Sequence, residues 1–562
     1  MRLVVVWATL LLLAAVSCIS AFNASAVSKD YDNDRIIRVI DMSTSVIKEE
    51  VGIRANYLGS EPTRTYHFVL PAVLHDNVAS MEAFLKHKSK DALAMAFAGF
   101  DQEQQLYVYE IQLHEPLEYN NQVKLGVKLT YTHQIYPLPA RIPQVSKQHV
   151  IYANNIFMLS PYHTSDIKTT FTFPTANIVS FKGGEPHHQG QQTQNSIVYG
   201  PFSDIPPLHA SACSFHYEYK SPIVTITDLK RHVQVSHWGG KISVEETYAA
   251  RHDGAELDKK FSRLQYQLTS HVLDQTNVLT SLVFDLPTSA EGVYFRDEVG
   301  NVSTSHFRRE KTKSVLEIIP RFPLFGGWGT TFYFGYDAAL KDFVHLVKGK
   351  YMLKLDFVNN VRDMTADQVE LMVVLPEGAS RIEVTPPSTF DMDKIEQAKY
   401  YTYFDSTGRP AVVFHKENVI SEHERPILIS YEYSTARLLQ KPAIASLGFF
   451  LVSLISILVS KVPWKIGYEQ EKITTTQLHK HEPSVIIKKT ATAHVATRKR
   501  SATPASRESS PFPVFVDENA IAANTRARKS HAEPVLLEDT MPKKLTSAAR
   551  SKKRKSSKKA GN

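Results

Sequence analysis

Two pairs of adjacent carboxylates, Glu245-Glu246 and Asp297-Glu298, are the residues whose type best suits acid–base chemistry. Neighbouring side chains on a strand point to opposite faces, so adjacency alone makes neither pair a dyad; turn and salt-bridge roles are expected. His187-His188 and His479/His481 could touch a metal, but they lie in polar stretches without carboxylate or thiol companions. Cys213, close to Phe215 in a strand-like run, reads as a small core residue rather than a nucleophile. The chain contains no G-x-S-x-G elbow, no H-E-x-x-H, no P-loop and no C-x-x-C. The glycines of FGGWG (Phe325–Gly329) lack the strand-then-helix setting of a dinucleotide site and read as a turn against an aromatic. No catalytic residue, metal or cofactor is expected.

Other residues suit modification and assembly. Asn301, in GNVS after Gly300, is an N-x-S/T acceptor at an expected surface turn, and Asn23 is a second. Ser446, Ser453 and Ser460 recur every seven residues, with Ser456 close by, in an apolar run. Small hydroxylated residues in such a stripe are candidates for helix packing in a membrane. Near the C-terminus, Lys552, Lys553, Arg554 and Lys555, followed by Lys558 and Lys559, could contact polyanions: lipid headgroups or ribosomal RNA.

The element behind the serine stripe is Ala443–Ser460, which carries no charge and no proline. At about 1.5 Å per residue it would span roughly 27 Å, the thickness of a thin bilayer core. Met1, Arg2 and the apolar run Leu3–Val16 have the pattern of a secretory signal, with cleavage expected after Ala21 or Ala26. From Lys461 onward there are 22 Lys/Arg against 9 Asp/Glu, so the residues before it sum to about −5 within a chain of net +8. Basic residues gather on the cytoplasmic side, so the expectation is a type I protein with its large N-terminal part in the lumen. The tail, rich in Ser, Thr, Ala, Lys and proline, is expected to be largely disordered. Of 2 cysteines, Cys18 falls in the signal, so no internal disulfide is expected.

Between Asp30 and Tyr433 the pattern is short alternating runs rich in β-branched and aromatic residues, such as Gln105–Leu113 and Val369–Pro376. The fold class is mostly β, with one amphipathic helix predicted over Asn77–His87. Three matches recur in the same order: VYEIQLHEPL (Val108–Leu117) with VLEIIPRFPL (Val315–Leu324), FTFPTANIVSF (Phe171–Phe181) with VVLPEGASRIEV (Val373–Val384), and FHYEYKS (Phe215–Ser221) with ISYEYST (Ile429–Thr435). They predict two tandem related β-sandwich-like modules. The expected divisions are a signal over 1–26, module one over 27–221, module two over 222–436, the membrane helix over 443–460 and a basic cytosolic tail over 461–562. Gly183–Asn195 is expected to be a loop.

The strings RDEVGNVSTSH (Arg296–His306), PRFPLFGGW (Pro320–Trp328), VSHWGG (Val235–Gly240), HDGAEL (His252–Leu257), FSRLQYQ (Phe261–Gln267), YGPFSDIP (Tyr199–Pro206) and FDSTGRP (Phe404–Pro410) resemble the ribophorin I family. That resemblance implies a non-catalytic subunit of the endoplasmic reticulum oligosaccharyltransferase, which moves a preassembled glycan from dolichyl diphosphate to Asn of N-x-S/T. It implies as partners the other subunits, including a catalytic multispanning one, the translocon and ribosome vicinity, nascent polypeptides and membrane lipids. The proline-bearing tail departs from the family's helical cytosolic region. The alternative is a membrane-anchored luminal cargo receptor or chaperone-like binder.

Overall fold

The computed structural model describes residues 29–462, apart from 87–91, 184–189, 270–276, 360–363, 404 and 406. The signal segment, Asn23, both histidine pairs and the basic tail with Lys552, Lys553, Arg554 and Lys555 lie outside the described residues.

Alternation at period two builds the strands. In Tyr31–Asp41, Ile36, Arg38 and Ile40 turn inward while Arg35, Ile37 and Val39 face solvent. In Lys241–His252 the inward row is Ile242, Val244, Glu246, Tyr248, Ala250 and His252. One charged residue sits within each apolar row.

In chain order the first half holds β1 (Tyr31–Asp41), β2 (Ile47–Tyr57), β3 (Thr63–Pro71), β4 (Val78–Leu85), β5 (Ala92–Asp101), β6 (Leu106–Leu117) and β7 (Gln122–Tyr131). It continues with β8 (Ile135–Pro137), β9 (Arg141–Ile142), β10 (His149–Asn155), β11 (His163–Thr172), β12 (Ile178–Gly183), β13 (Gln191–Thr193), β14 (Ser196–Ile205) and β15 (Ala212–Glu218). The second half opens with β16 (Val224–Ser236), β17 (Lys241–His252), β18 (Glu256–Leu257), β19 (Val278–Leu279), β20 (Leu282–Leu286), β21 (Glu291–Asp297), β22 (Gly300–Asn301), β23 (His306–Arg309) and β24 (Ser314–Ile318). Then follow β25 (Leu324–Phe325), β26 (Gly329–Ala339), β27 (Val344–Val347), β28 (Lys350–Asp356), β29 (Thr365–Val374), β30 (Ser380–Thr385), β31 (Lys394–Tyr400), β32 (Arg409–Val419) and β33 (Pro426–Glu432).

The two halves repeat one topology. In the first, β14-β11-β1-β2-β7-β4 lie side by side in a large sheet, and β12-β15-β10-β8 form a smaller one. In the second, β32-β29-β16-β17-β26-β21 and β30-β33-β28-β27 follow the same order. β1 pairs in parallel with β11, as β16 does with β29. β3 and β6 form an antiparallel pair, as do β20 and β24. The three sequence matches fall on equivalent elements: β6 and β24, the Pro174 and Pro376 turns before β12 and β30, and β15 and β33. Each half has its own core, one drawn from Tyr31 to Ile223, the other from Val224 to Tyr431. Phe171 of the large sheet meets Phe215 of the small one at 4.5 Å, so the two sheets face each other across the first core.

Two expectations need correction. The helix predicted over Asn77–His87 is not formed in its described part: Val78–Leu85 is β4, whose backbone groups pair with β7, and the local helix is only Ala72–His75. Spacing of Val78, Met81 and Leu85 mimics a helical face, but sheet pairing overrides it. Gly183–Asn195 is not all loop, because Gln191–Thr193 forms β13 on the edge of β14, closed by a turn in which Gln194 has positive φ. The expected membrane helix over 443–460 lies within a helix of Gln440–Lys461, and a 3₁₀ turn at Thr435–Leu439 feeds it directly. Pro442 is tolerated because N–H groups of a first helical turn have no intrahelical partner.

Candidate functional site

The Glu245-Glu246 pair is divided by the strand that carries it, whereas Asp297 ends β21 and Glu298 follows in the turn, both on one groove. Glu246 points into the second core, where Arg231 Nε meets its Oε1 at 2.7 Å and Tyr248 donates to its Oε2 at 2.6 Å. Glu245 faces outward and accepts from the Tyr294 hydroxyl at 2.5 Å. Arg231 also donates to the carbonyls of Asp356 and Phe357 at the end of β28. The first half holds the same device: Arg38 Nε and Nη2 meet Glu49 at 2.7 and 3.1 Å, and Nη1 donates to Asn155 and Phe157 carbonyls after β10. Each guanidinium thus ties a large sheet to the end of a small-sheet strand. These charges are consumed inside the body.

Asp297 sits on an open groove of about 440 Å³, floored by Ala249–Arg251 and Gly329–Thr331 and rimmed by Asp297–Val299, Arg321 and Phe322. Arg321 holds it through two bonds of 2.6 and 2.8 Å, and the Val299 and Gly300 amides donate at 3.0 Å. The Arg321 bond, with those amides, lowers its carboxyl pKa to about 2, so it is a fixed anion, not a proton donor. Beside the groove, FGGWG makes the expected turn. Gly326 backs against Ala255, Gly327 has φ of +78°, and Phe261 packs on both Phe325 and Trp328. Three of the strings that resemble the ribophorin I family supply this groove and aromatic cluster, and a fourth, His252–Leu257, backs Gly326 and Gly327.

Asn301 is exposed on β22, where Arg296 Nε donates to its Oδ1 at 2.7 Å. That bond leaves Nδ2, the atom a glycan would occupy, turned away from Arg296. Cys213 is buried, its thiol donates to the Asn154 carbonyl at 3.2 Å, and burial pushes its pKa up to about 12. It is a core residue. Among the described residues, no group of three or more His, Cys, Asp or Glu is placed to hold a metal ion.

A second site lies where the body meets the long helix. Lys441, in the first turn, places Nζ 2.6 Å from Asp405 Oδ1. Asp405 Oδ2 accepts from the Thr402 amide and hydroxyl at 2.7 and 2.8 Å, with Arg409 Nε 3.7 Å away. Burial alone would raise the Asp405 pKa, but Lys441 and Thr402 hold it below the usual carboxylate range. Glu377 braces the same loop by accepting from Thr407 at 2.7 Å, and Arg437 lies against Gly378. The helix is therefore clamped to the body. Sequence reasoning missed this clamp because its members are far apart in the chain. The buried arginines carried a signal, a cation in an inward-facing row.

Ser446, Ser453 and Ser460 are exposed on the helix, none of whose residues is buried, and Ser460 Oγ donates to the Ile457 carbonyl at 2.8 Å. The helix is long and apolar enough to cross a membrane.

Among the described residues, a duplicated β body is clamped to one helix able to span a membrane, which defines a class of membrane-anchored β protein. The sequence profile of the Ribophorin I family matches residues 31–460, and the chain belongs to that family. Its relatives include dolichyl-diphosphooligosaccharide–protein glycosyltransferase subunit 1 of Caenorhabditis elegans, 31% identical over 82% of this chain and 77% of that one. Subunit 1A of Arabidopsis thaliana is 31% identical over 82% of this chain and 74% of its own length. Among solved structures, native yeast LTA4 hydrolase gives a TM-score of 0.24 at 9% identity, over 37% of this chain and 32% of that one, too slight a likeness to bear on function.

Proposed function

We propose that this protein is a non-catalytic subunit of the endoplasmic reticulum oligosaccharyltransferase. It supports transfer of a preassembled oligosaccharide from dolichyl diphosphate to Asn of N-x-S/T in nascent chains. The observation that carries this is the family match over 31–460, whose relatives bear the name of subunit 1 of that transferase. The non-catalytic part is supported by how the charged groups are used: Glu49, Glu246, Asp297 and Asp405 are each held by a cation of the chain itself. The β body lies in the lumen and the tail in the cytosol, on the strength of the basic excess after Lys461. The partners are the catalytic multispanning subunit, nascent polypeptides and lipid.

Extraction in mild detergent tests the proposal. The chain should co-purify in fixed stoichiometry with transferase activity toward an N-x-S/T peptide. Recovery of the chain free of other subunits, with activity elsewhere, would favour a cargo receptor instead.

A further inference from the structure

The clamp at Asp405 orients more than the helix. The β16–β17 hairpin ends in a tight turn, with the Gly239 amide donating to Ser236 Oγ at 3.0 Å, and its apex carries Trp238. Trp238 is 78% exposed, yet it lines a cavity of about 260 Å³ together with Leu438 and Lys441 at the start of the helix. Tyr401 and Tyr403 are 64% and 76% exposed and flank Thr402, the residue bonded to Asp405, whose other oxygen holds Lys441. Leu439, one residue before the helix, is 69% exposed. Three large exposed aromatics and a leucine thus lie on the segments that line or hold the start of the apolar span. Among the described residues, the one side-chain hydrogen bond of Arg437 there is to the neutral Gln440.

Tryptophan and tyrosine rings with an apolar body and a polar edge favour the level of lipid headgroups, and arginine at that depth can meet a headgroup phosphate. We infer that Trp238, Tyr401, Tyr403 and Leu439, with Arg437, form a second membrane contact, by which the second half lies on the leaflet that the helix enters at Gln440. The occupant is the lipid bilayer itself, because the patch is continuous with the span and held at its end by Lys441. Two strings that carry the family resemblance, around Trp238 and around Asp405, meet at this place. The inference rests on the helix being a membrane span and is independent of the transferase role.

The test uses the full chain reconstituted in vesicles of phosphatidylcholine and phosphatidylserine with bromine on the upper acyl carbons. Trp328→Phe with Trp464→Phe leaves Trp238 as reporter once the signal segment bearing Trp7 is removed. Trp238→Phe with Trp464→Phe leaves Trp328, on the distant aromatic cluster, as the control. Trp238 fluorescence should be quenched at least about twofold more than Trp328 fluorescence, and Arg437→Glu should reduce that difference when the vesicles contain phosphatidylserine. Equal quenching of the two reporters would overturn the inference, and would mean that another protein covers the patch or that it faces water. Carbonate extraction of the same vesicles separates this outcome from failure of the span, since a spanning chain resists extraction whether or not Trp238 touches lipid.

Discussion

Arg231 and Glu246 are 1% and 2% exposed, so neither charge has water to fall back on. Replacing Arg231 with leucine leaves Glu246 buried with only a tyrosine hydroxyl and removes the bonds to the Asp356 and Phe357 carbonyls at the end of β28. Such half-broken pairs cost about 3–5 kcal/mol. Lys350 and Glu383 form a pair 37% and 66% exposed, and Lys350→Leu should cost under about 1 kcal/mol. Denaturant unfolding of the two variants checks this; equal midpoints would mean that the buried pair adds nothing. At this scale the sequence was partly legible. Cys213 in the core and the separation of Glu245 from Glu246 follow from alternation alone. The partners of Arg38 and Arg231 do not, because the carbonyls they meet come from strands far along the chain.

The β elements are stamped twice with the same detail. Gly126 of β7 lies beneath the Phe84 ring of β4, and Gly335 of β26 lies beneath Tyr294 of β21. In both places a missing side chain makes room for a cross-strand aromatic. Strand alternation and the three recurrent strings were enough to read most of this, whereas β4 was misread because its apolar residues happen to be spaced like a helix. The membrane helix was legible from its uncharged length, but its start was not, since Lys441 and Pro442 look like a boundary. On that helix Ser446 and Ser453 are open to a neighbouring span. Hydrogen bonds across membrane helices are worth roughly 0.6–2 kcal/mol each. Ser446→Leu with Ser453→Leu should therefore reduce recovery of the assembled complex several-fold while membrane insertion persists. Undiminished recovery would leave the serines as bystanders.

Taken whole, the described residues form two main cores, one to each half, with polar bonds between the halves. His133 Nε2 meets Asp367 at 2.8 Å, Lys48 meets Glu422 at 2.7 Å, and Asn418 donates to the Asp76 carbonyl at 3.0 Å. The His133 pKa is raised, chiefly by the bond to Asp367 and further by Asp253, against burial and Arg251. A raised histidine contributes stability that is complete below its unfolded pKa of about 6.5 and is lost as pH climbs through the folded value. The seam between the halves should thus loosen as pH climbs above the ordinary histidine range. Limited proteolysis at the exposed Lys220-Ser221 segment should quicken as pH rises from about 6 to about 8, and His133→Gln should flatten that dependence. A slope unchanged by the substitution would place the titrating group elsewhere.

The parallel pairing of β1 with β11 has a further meaning for a chain made from one end. Asp32 bonds His163 across 131 residues, and Thr225 meets Thr365 across 140. At about 5–20 residues per second, a ribosome takes roughly 7–26 s to deliver the first of these partners. Until that strand is made, the outer edge of β1 lacks its partner and Arg38 lacks the carbonyls of Asn155 and Phe157, with only Glu49 of its partners already translated. The β16–β17 hairpin then repeats the delay. Twice during its birth, the central strand of a half is made well before the parallel strand that completes its sheet.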